Sequence, residues 1–81
     1  MDENLEQGIV IGSTKEIGDL IRRARKEQGI SQIVAAGLFG SGNRFISDAE
    51  SGKTTIQAQK LFDLLAMVGL EIVIRRKQTD A

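Results

Sequence analysis

The chain contains no cysteine and no histidine among its 81 residues. Their absence excludes disulfide bonds, thiolate chemistry, the usual zinc ligand sets and acid–base catalysis by an imidazole ring. No apolar run approaches the roughly 18 residues that a membrane span requires, and the acidic start Met1-Asp2-Glu3 is unlike a signal peptide. The sequence therefore predicts a cytoplasmic protein that is not an enzyme and that binds no metal, cofactor or membrane.

The chain also has no net charge, because 11 basic side chains balance 11 acidic ones. The charges are nevertheless unevenly distributed along the sequence. The central segment, residues 15–60, contains eight basic and five acidic side chains. The basic ones are Lys15, Arg22, Arg23, Arg25, Lys26, Arg44, Lys53 and Lys60, and the acidic ones are Glu16, Asp19, Glu27, Asp48 and Glu50. A modestly basic centre of this kind predicts weak, salt-sensitive binding to nucleic acid in the absence of sequence recognition.

A chain of this length forms one small domain with a thin core, so a second subunit would help to bury apolar surface. Residues 1–12 predict a flexible arm, in which Ile9-Val10-Ile11 is a possible short strand. The domain proper is predicted over residues 13–69. Its first helix opens with the capping-box pair Ser13 and Glu16 and ends at about Gln28, before Gly29.

The most informative segment runs from Ser31 to Lys53. It predicts a short helix over about Ser31–Leu38, a tight turn at Gly40 and a second short helix over about Gly42–Glu50. Two short helices joined by a glycine turn are typical of the helix-turn-helix, whose second helix projects polar side chains into the major groove of DNA.

The pattern changes near the C-terminus. Thr55 is the expected N-cap of a helix that runs to about Val68, with its apolar stripe at Ala58, Leu61, Leu65 and Val68, widened by Phe62 and Leu64. Apolar residues then alternate, which predicts a strand over Leu70–Arg75 and a polar tail to residue 81. One such strand finds no stable partner in its own chain, so we expect it to pair with a second subunit. The expected contacts are Leu70, Ile72, Val73 and Ile74, with the last helix as an alternative or additional interface.

These residues together resemble the Xre (lambda repressor-like) family, and within it the HipB-type antitoxins. The resemblance runs from about Ile17 to Ile74. It is carried by Ile17-Gly18, Ile21-Arg22, Arg25, Gly29-Ile30-Ser31-Gln32, Ala36, Gly40, Arg44-Phe45-Ile46-Ser47-Asp48, Glu50 and Gly52-Lys53, and by Leu64-Leu65-Ala66-Met67-Val68-Gly69-Leu70 followed by a strand.

The resemblance implies an all-α, lambda repressor-like fold of four to five short helices, with a C-terminal strand that forms an intersubunit sheet in a homodimer. It also implies a bacterial, nucleoid-associated repressor that binds double-stranded operator DNA and represses its own operon. HipB-type members neutralise a HipA-like kinase toxin, so the resemblance adds that partner. The alternative is a stand-alone phage or chromosomal repressor of the Xre type without a toxin.

Site residues follow from the motif and the resemblance. Base contacts are expected from Asn43, Arg44, Ser47 and Asp48, because Arg and Asn side chains match guanine and adenine. Three alternative roles remain for Asp48. It accepts a hydrogen bond from cytosine, keeps phosphates away from the second short helix, or pairs with Arg44. Phosphate contacts are expected from Ser31, Gln32, Gly42, Ser51 and Lys53, although a helix cap explains Gln32 and a solvated side chain explains Lys53 as well.

Four other positions have structural interpretations. The resemblance implies that Arg25 and Glu50 form a partly buried ion pair that holds the motif together. Ser41 and Ala49 depart from the family pattern, which has larger apolar residues there. Each departure is expected to cost on the order of 2–5 kcal/mol of stability, unless Phe39 or Ile33 fills the space.

Two alternative interpretations do not involve DNA. The run Glu50-Ser51-Gly52-Lys53-Thr54-Thr55 ends like a phosphate-binding P-loop, but Ser47 stands where that pattern requires its first glycine. The chain is also too short for the α/β domain that houses a P-loop. A protein-interaction module that does not bind DNA is the other reading, and it predicts no salt-dependent binding to any operator.

Overall fold

The computed structural model describes residues 5–78. Its elements are a single 3₁₀ turn over Leu5–Gln7 and four α-helices: α1 (Thr14–Glu27), α2 (Gln32–Phe39), α3 (Asn43–Ser51) and α4 (Ala58–Met67). The predicted all-helical architecture is confirmed. The predicted arm and tail extend into residues 1–4 and 79–81, which lie outside the described residues.

Helix α1 starts at the predicted capping box. The Ser13 hydroxyl accepts a hydrogen bond from the Glu16 amide at 3.1 Å, and the Glu16 carboxylate accepts one from the Gly12 amide at 2.6 Å. Two backbone donors that the first turn cannot satisfy are thereby paired. The buried positions Gly18, Ile21, Ala24 and Arg25 recur at helical spacing, so this face packs against the rest of the domain.

Helices α2 and α3 lie within one residue of their predicted bounds. The Ser31 hydroxyl caps α2 by accepting from the Val34 amide at 3.1 Å. Gly40 ends α2 in the left-handed conformation, with φ of 77° and ψ of 30°. Side chains other than glycine rarely adopt this conformation, so a glycine at this position permits the sharp turn between the two helices.

The core consists of small and aliphatic side chains from all four helices: Ile21, Ala24, Ala35, Ala36, Ile46, Ala49, Leu61, Leu64, Leu65 and Val68. Ile21, Ile46 and Leu65 are buried, and Ile17 and Phe45 are half-buried against them. Burying one such aliphatic side chain stabilises the fold by about 1.5–3 kcal/mol.

Helices α1 and α3 cross at very short range. A Cβ atom added to Gly18 would lie 2.5 Å from the Ala49 carbonyl oxygen and 2.6 Å from that of Glu50. Only a glycine permits this approach of the two backbones. Ala49 is 2% exposed although its side chain is small. The close crossing therefore buries Ala49 without the larger residue that the family pattern has there.

At the other departure from the pattern, Ser41 is half-buried. The Ser41 hydroxyl donates to the Gly42 carbonyl at 3.1 Å, so its polar group is satisfied locally. Phe39 stacks on Phe45 with 5.4 Å between ring centroids. Ile33 does not contribute to the core, since 74% of it is exposed.

The predicted start of α4 is wrong. The helix begins at Ala58 with Gln57 as its N-cap, and no side chain caps it. Residues 54–55 form a turn instead, which places Ile56 half-buried against the core. Packing of Ile56 therefore overrides the capping preference of Thr55. The buried stripe of α4 continues through Leu61, Leu64, Leu65 and Val68, whereas Ala58 and Phe62 are exposed.

Neither predicted strand is present in the described part of this single chain. Residues 9–11 and 70–78 carry no regular secondary structure. A strand requires a partner for its backbone groups, and neither segment pairs with another strand within residues 5–78. Ile72, Val73 and Ile74 are exposed by 43%, 74% and 93%, respectively. Within residues 5–78, no helix is long and apolar enough to cross a membrane.

Candidate nucleic-acid interface

Helix α3 has one buried and one solvent-exposed face. Ile46, Ala49 and Glu50 point into the domain, while Asn43, Arg44 and Ser47 are exposed. The Arg44 side chain is 87% exposed. This division follows from helical periodicity, because residues three or four positions apart share a face. The outward face of α3 therefore presents guanidinium, amide and hydroxyl groups, which are the groups that read base edges.

Asp48 lies between two basic side chains. Its Oδ2 atom is 3.8 Å from Arg44 Nε and 3.5 Å from Lys53 Nζ. Of the alternatives for Asp48, the pairing with Arg44 is present in the free chain. Exposed pairs of this kind contribute about 0.3–0.5 kcal/mol, so a base can displace Asp48 from Arg44 at little cost.

The beginning of α2 presents two of the predicted phosphate contacts. The Ser31 oxygen accepts the Val34 amide, which leaves the hydroxyl proton available to an external acceptor. Gln32 is half-buried, and its Nε2 donates one hydrogen bond to Glu50 Oε1 at 3.0 Å. An amide nitrogen has two hydrogens, so one donor of Gln32 remains.

The remaining phosphate candidates differ in availability. Gly42 is exposed at the N-cap of α3. Lys53 is exposed just after that helix, and its only ion pair within the described residues is the one with Asp48, which also pairs with Arg44. The Ser51 hydroxyl, in contrast, donates to the Asp48 carbonyl at 3.0 Å, so its proton is already used within α3.

The predicted ion pair between Arg25 and Glu50 is present and almost fully buried. Arg25 Nε donates to Glu50 Oε2 at 2.5 Å, and Arg25 Nη2 donates to Glu50 Oε1 at 2.9 Å. The two side chains are 8% and 3% exposed. Arg25 Nη1 also donates to the Ile30 carbonyl at 2.8 Å. One guanidinium thus joins α1, the turn before α2 and the end of α3.

The helix-turn-helix family model matches residues 21–74 of the chain. The chain is also similar to the uncharacterized HTH-type transcriptional regulator y4mF of Sinorhizobium fredii (strain NBRC 101917 / NGR234). The two are 44% identical over 64 residues, which cover 79% of this chain and 84% of the relative. The chain belongs to the helix-turn-helix family of transcriptional regulators.

The match confirms the predicted family at the level of an Xre-like helix-turn-helix domain. It begins in α1, includes α2, α3 and α4, and extends into the C-terminal segment as far as Ile74. In this regulator, α2 and α3 are the two helices of the motif. Motifs of this kind present the exposed face of their second helix to DNA.

Arg25 and Glu50 each stabilise the charged form of the other. Burial by itself would raise the pKa of the Glu50 carboxyl. Hydrogen bonds from Arg25 and Gln32, together with the charges of Arg25 and Arg22, outweigh that effect and lower the pKa below its ordinary value. The pKa of Arg25 is raised, because its hydrogen bonds to Glu50 outweigh the effect of burial. Both side chains therefore remain charged at neutral pH.

Two contacts of the helix-turn-helix were missed by reasoning from the sequence. The bond from Gln32 to Glu50 ties the start of α2 to the buried pair. The Thr14 hydroxyl donates to the Gly52 carbonyl at 2.8 Å and joins the beginning of α1 to the end of α3. The partners in these bonds are 18 and 38 residues apart, and no local pattern signals contacts over such separations.

Proposed function

We propose that this helix-turn-helix regulator is a sequence-specific DNA-binding repressor that inserts α3 into the major groove of its operator. The observation that carries the proposal is the exposed polar face of α3, held on the domain by the buried pair of Arg25 and Glu50. Base edges need polar side chains in a fixed orientation, and a rigid helix supplies that orientation. The established family fits the same role.

In the proposed complex the polar residues divide into two groups. Asn43, Arg44 and Ser47, with Asp48 beside them, contact bases. Ser31, Gln32, Gly42 and Lys53 contact the phosphates on either side. Contacts to phosphate position the protein and contacts to bases select the sequence, so the two groups have different experimental signatures.

Arg44→Ala should reduce affinity for the cognate operator by about 1–3 kcal/mol per half-site and relax the preference at one base pair, because a bidentate guanine contact is lost. Gln32→Ala and Lys53→Ala should weaken binding to cognate and random duplexes by similar factors, because a phosphate contact carries no sequence information. Titration of each variant against both duplexes at fixed salt measures the difference.

The cognate duplex for these titrations can be selected from a random pool with the wild-type protein. Melting temperatures serve as the control for folding. Equal losses on both duplexes for Arg44→Ala would show that Arg44 does not read a base. Absence of any selected sequence would contradict sequence-specific recognition as a whole.

We further propose that the repressor is a homodimer formed through its C-terminal segment. Ile72, Val73 and Ile74 are exposed, and residues 70–78 form no strand in the single chain. Pairing of this segment with its copy across a two-fold axis would satisfy its backbone groups and cover these side chains. It would also place two α3 helices about 34 Å apart, which matches one turn of DNA.

Deletion from Leu70 onward should give a monomer or an aggregating protein that no longer binds the operator, although every proposed base-reading residue remains. Sedimentation of the truncated protein and operator titration measure this. A soluble dimer that still binds tightly would instead locate the interface on α4, around the exposed Phe62 and the half-buried Met67.

The proposal includes a role as a HipB-like antitoxin that binds a HipA-like kinase toxin and represses the shared operon. It is supported by the resemblance of the α4 segment and by apolar surface that DNA binding leaves unused. Ile33, Val34 and Leu38 of α2 are exposed by 74%, 49% and 67%. Exposed aliphatic clusters commonly contact other proteins.

The antitoxin role is tested by the genes beside that of this protein and by co-expression. A neighbouring kinase reading frame whose product co-purifies with the regulator, and whose toxicity the regulator suppresses, is the expected result. A regulator that represses its operator but has no such neighbour would be a stand-alone Xre-type repressor.

A further inference from the structure

A shallow surface depression lies where α1, α2 and α3 meet. Six side chains line it: Arg22, Arg25, Gln32, Ser47, Glu50 and Ser51. Five of these belong to the buried pair or to the residues already expected to contact phosphates or bases. Ser47 and Ser51, which are exposed, show that the depression opens beside the outward face of α3. Arg22 is the one member that neither the motif nor the buried pair accounts for.

The charges in this depression do not cancel. Arg25 and Glu50 neutralise one another, and the three hydrogen bonds of Arg25 go to Glu50 and to the Ile30 carbonyl. Arg22 is exposed and makes no ion pair within 4 Å with any residue in the described part of the chain. It therefore adds a positive charge and its guanidinium donors at the edge of the depression.

We propose that Arg22 binds a backbone phosphate of the DNA, in the depression beside α3 that it lines together with Gln32. This inference rests on the proposed function, because it presupposes that α3 enters the groove. When a recognition helix lies in a groove, the elements beside it face the phosphates, and the preceding helices cross the backbone. A guanidinium matches a phosphate with two parallel hydrogen bonds.

The carboxylate in the same depression explains why a second arginine is required. Glu50 would repel a phosphate that approached Gln32. Arg25 cancels that charge, and Arg22 turns the net potential of the depression positive. Gln32 retains one donor hydrogen after its bond to Glu50. The anion would therefore meet one charged donor from α1 and one neutral donor from α2.

The test compares Arg22→Ala with Arg23→Ala in the full chain. Both substitutions remove one positive charge from adjacent positions of α1, but Arg23 does not line the depression. Binding to the selected duplex and to a random duplex of the same length is measured over a series of salt concentrations. Arg22→Ala should lower the slope of log K against log salt by about 0.9 per half-site on both duplexes, and Arg23→Ala should leave it near the wild-type value. Arg22→Lys should restore most of the slope, because the charge is kept.

Three results would overturn this assignment alone. Equal slopes for wild type and Arg22→Ala would mean that no phosphate contact is lost. Equal reductions for the two alanine variants would mean that only the general field changes. A lower melting temperature with an unchanged slope would make Arg22 a support for Glu50 within the fold. Failure of the wild-type protein to bind either duplex would overturn the proposed function together with this inference. The binding of the wild-type protein therefore distinguishes failure of the proposed function from failure of the inference alone.

Discussion

Gly18→Ala is expected to lower the free energy of unfolding by about 1–3 kcal/mol or more, which is the usual penalty for overpacking. The added methyl group would lie 2.5 Å from the Ala49 carbonyl oxygen and 2.9 Å from the Glu50 carbonyl carbon. Both neighbours are backbone atoms, so no flexible side chain can move aside. Helices α1 and α3 would have to separate, and the buried pair that bridges them would be strained as well. Urea denaturation of wild type and variant measures the change.

Gly37→Ala is the matched control for that substitution. Gly37 is also helical, but apart from its chain neighbours and the backbone of its own helix, no heavy atom lies within 4 Å of its added Cβ atom. The same chemical change should therefore stabilise the fold by about 0.4–1 kcal/mol, through the reduced entropy of the unfolded chain. If both variants shifted stability in the same direction, the close crossing of α1 and α3 would be contradicted.

Arg25→Ala should lower the free energy of unfolding by about 3–5 kcal/mol, with a similar loss for Glu50→Ala, because either change leaves a buried charge without its partner. The double variant should lose far less than the sum of the two. A double-mutant cycle measured by urea denaturation gives the interaction free energy directly. Additive effects would show that the two residues contribute independently.

The pH dependence of stability provides a separate check on the same pair. The pKa of Glu50 is lower in the folded chain than its ordinary value. The ordinary pKa of a glutamate is about 4.3, so the stabilisation from this group is fully present above that pH. It is lost as the pH falls through the folded pKa, because the unfolded chain binds the proton more readily. Glu50→Gln should flatten this part of the stability profile.

The parts of the fold that were predictable from the sequence are those with local causes. The capping pair Ser13 and Glu16, the turn at Gly40 and the alternation of buried and exposed positions in α3 each depend on neighbours a few residues away. The Arg25–Glu50 pair was predictable only through family resemblance, since its partners are 25 residues apart.

The parts that were not predictable depend on tertiary or quaternary context. Helix α4 begins at Ala58 and not directly after Thr55, because Ile56 packs against the core. No capping rule anticipates that packing. The C-terminal strand depends on a second chain, so a single chain does not test it. The position of Arg22 beside Gln32 and Ser51 requires the packing of three helices to be known.

The hydrogen bond that holds Gln32 on Glu50 has a consequence for the order of events on DNA. Gln32 is already immobilised in the free protein by a contact to a buried carboxylate. The Arg44 side chain, in contrast, is 87% exposed and held only by a long contact to Asp48. Ordering a long side chain costs about 1.5–2 kcal/mol of conformational entropy. In the proposed complex, that cost falls on Arg44, which reads a base, and not on Gln32, which contacts a phosphate. Gln32 can therefore contact any duplex at little entropic cost, while Arg44 becomes ordered only where contact with the correct base compensates for its lost conformational entropy.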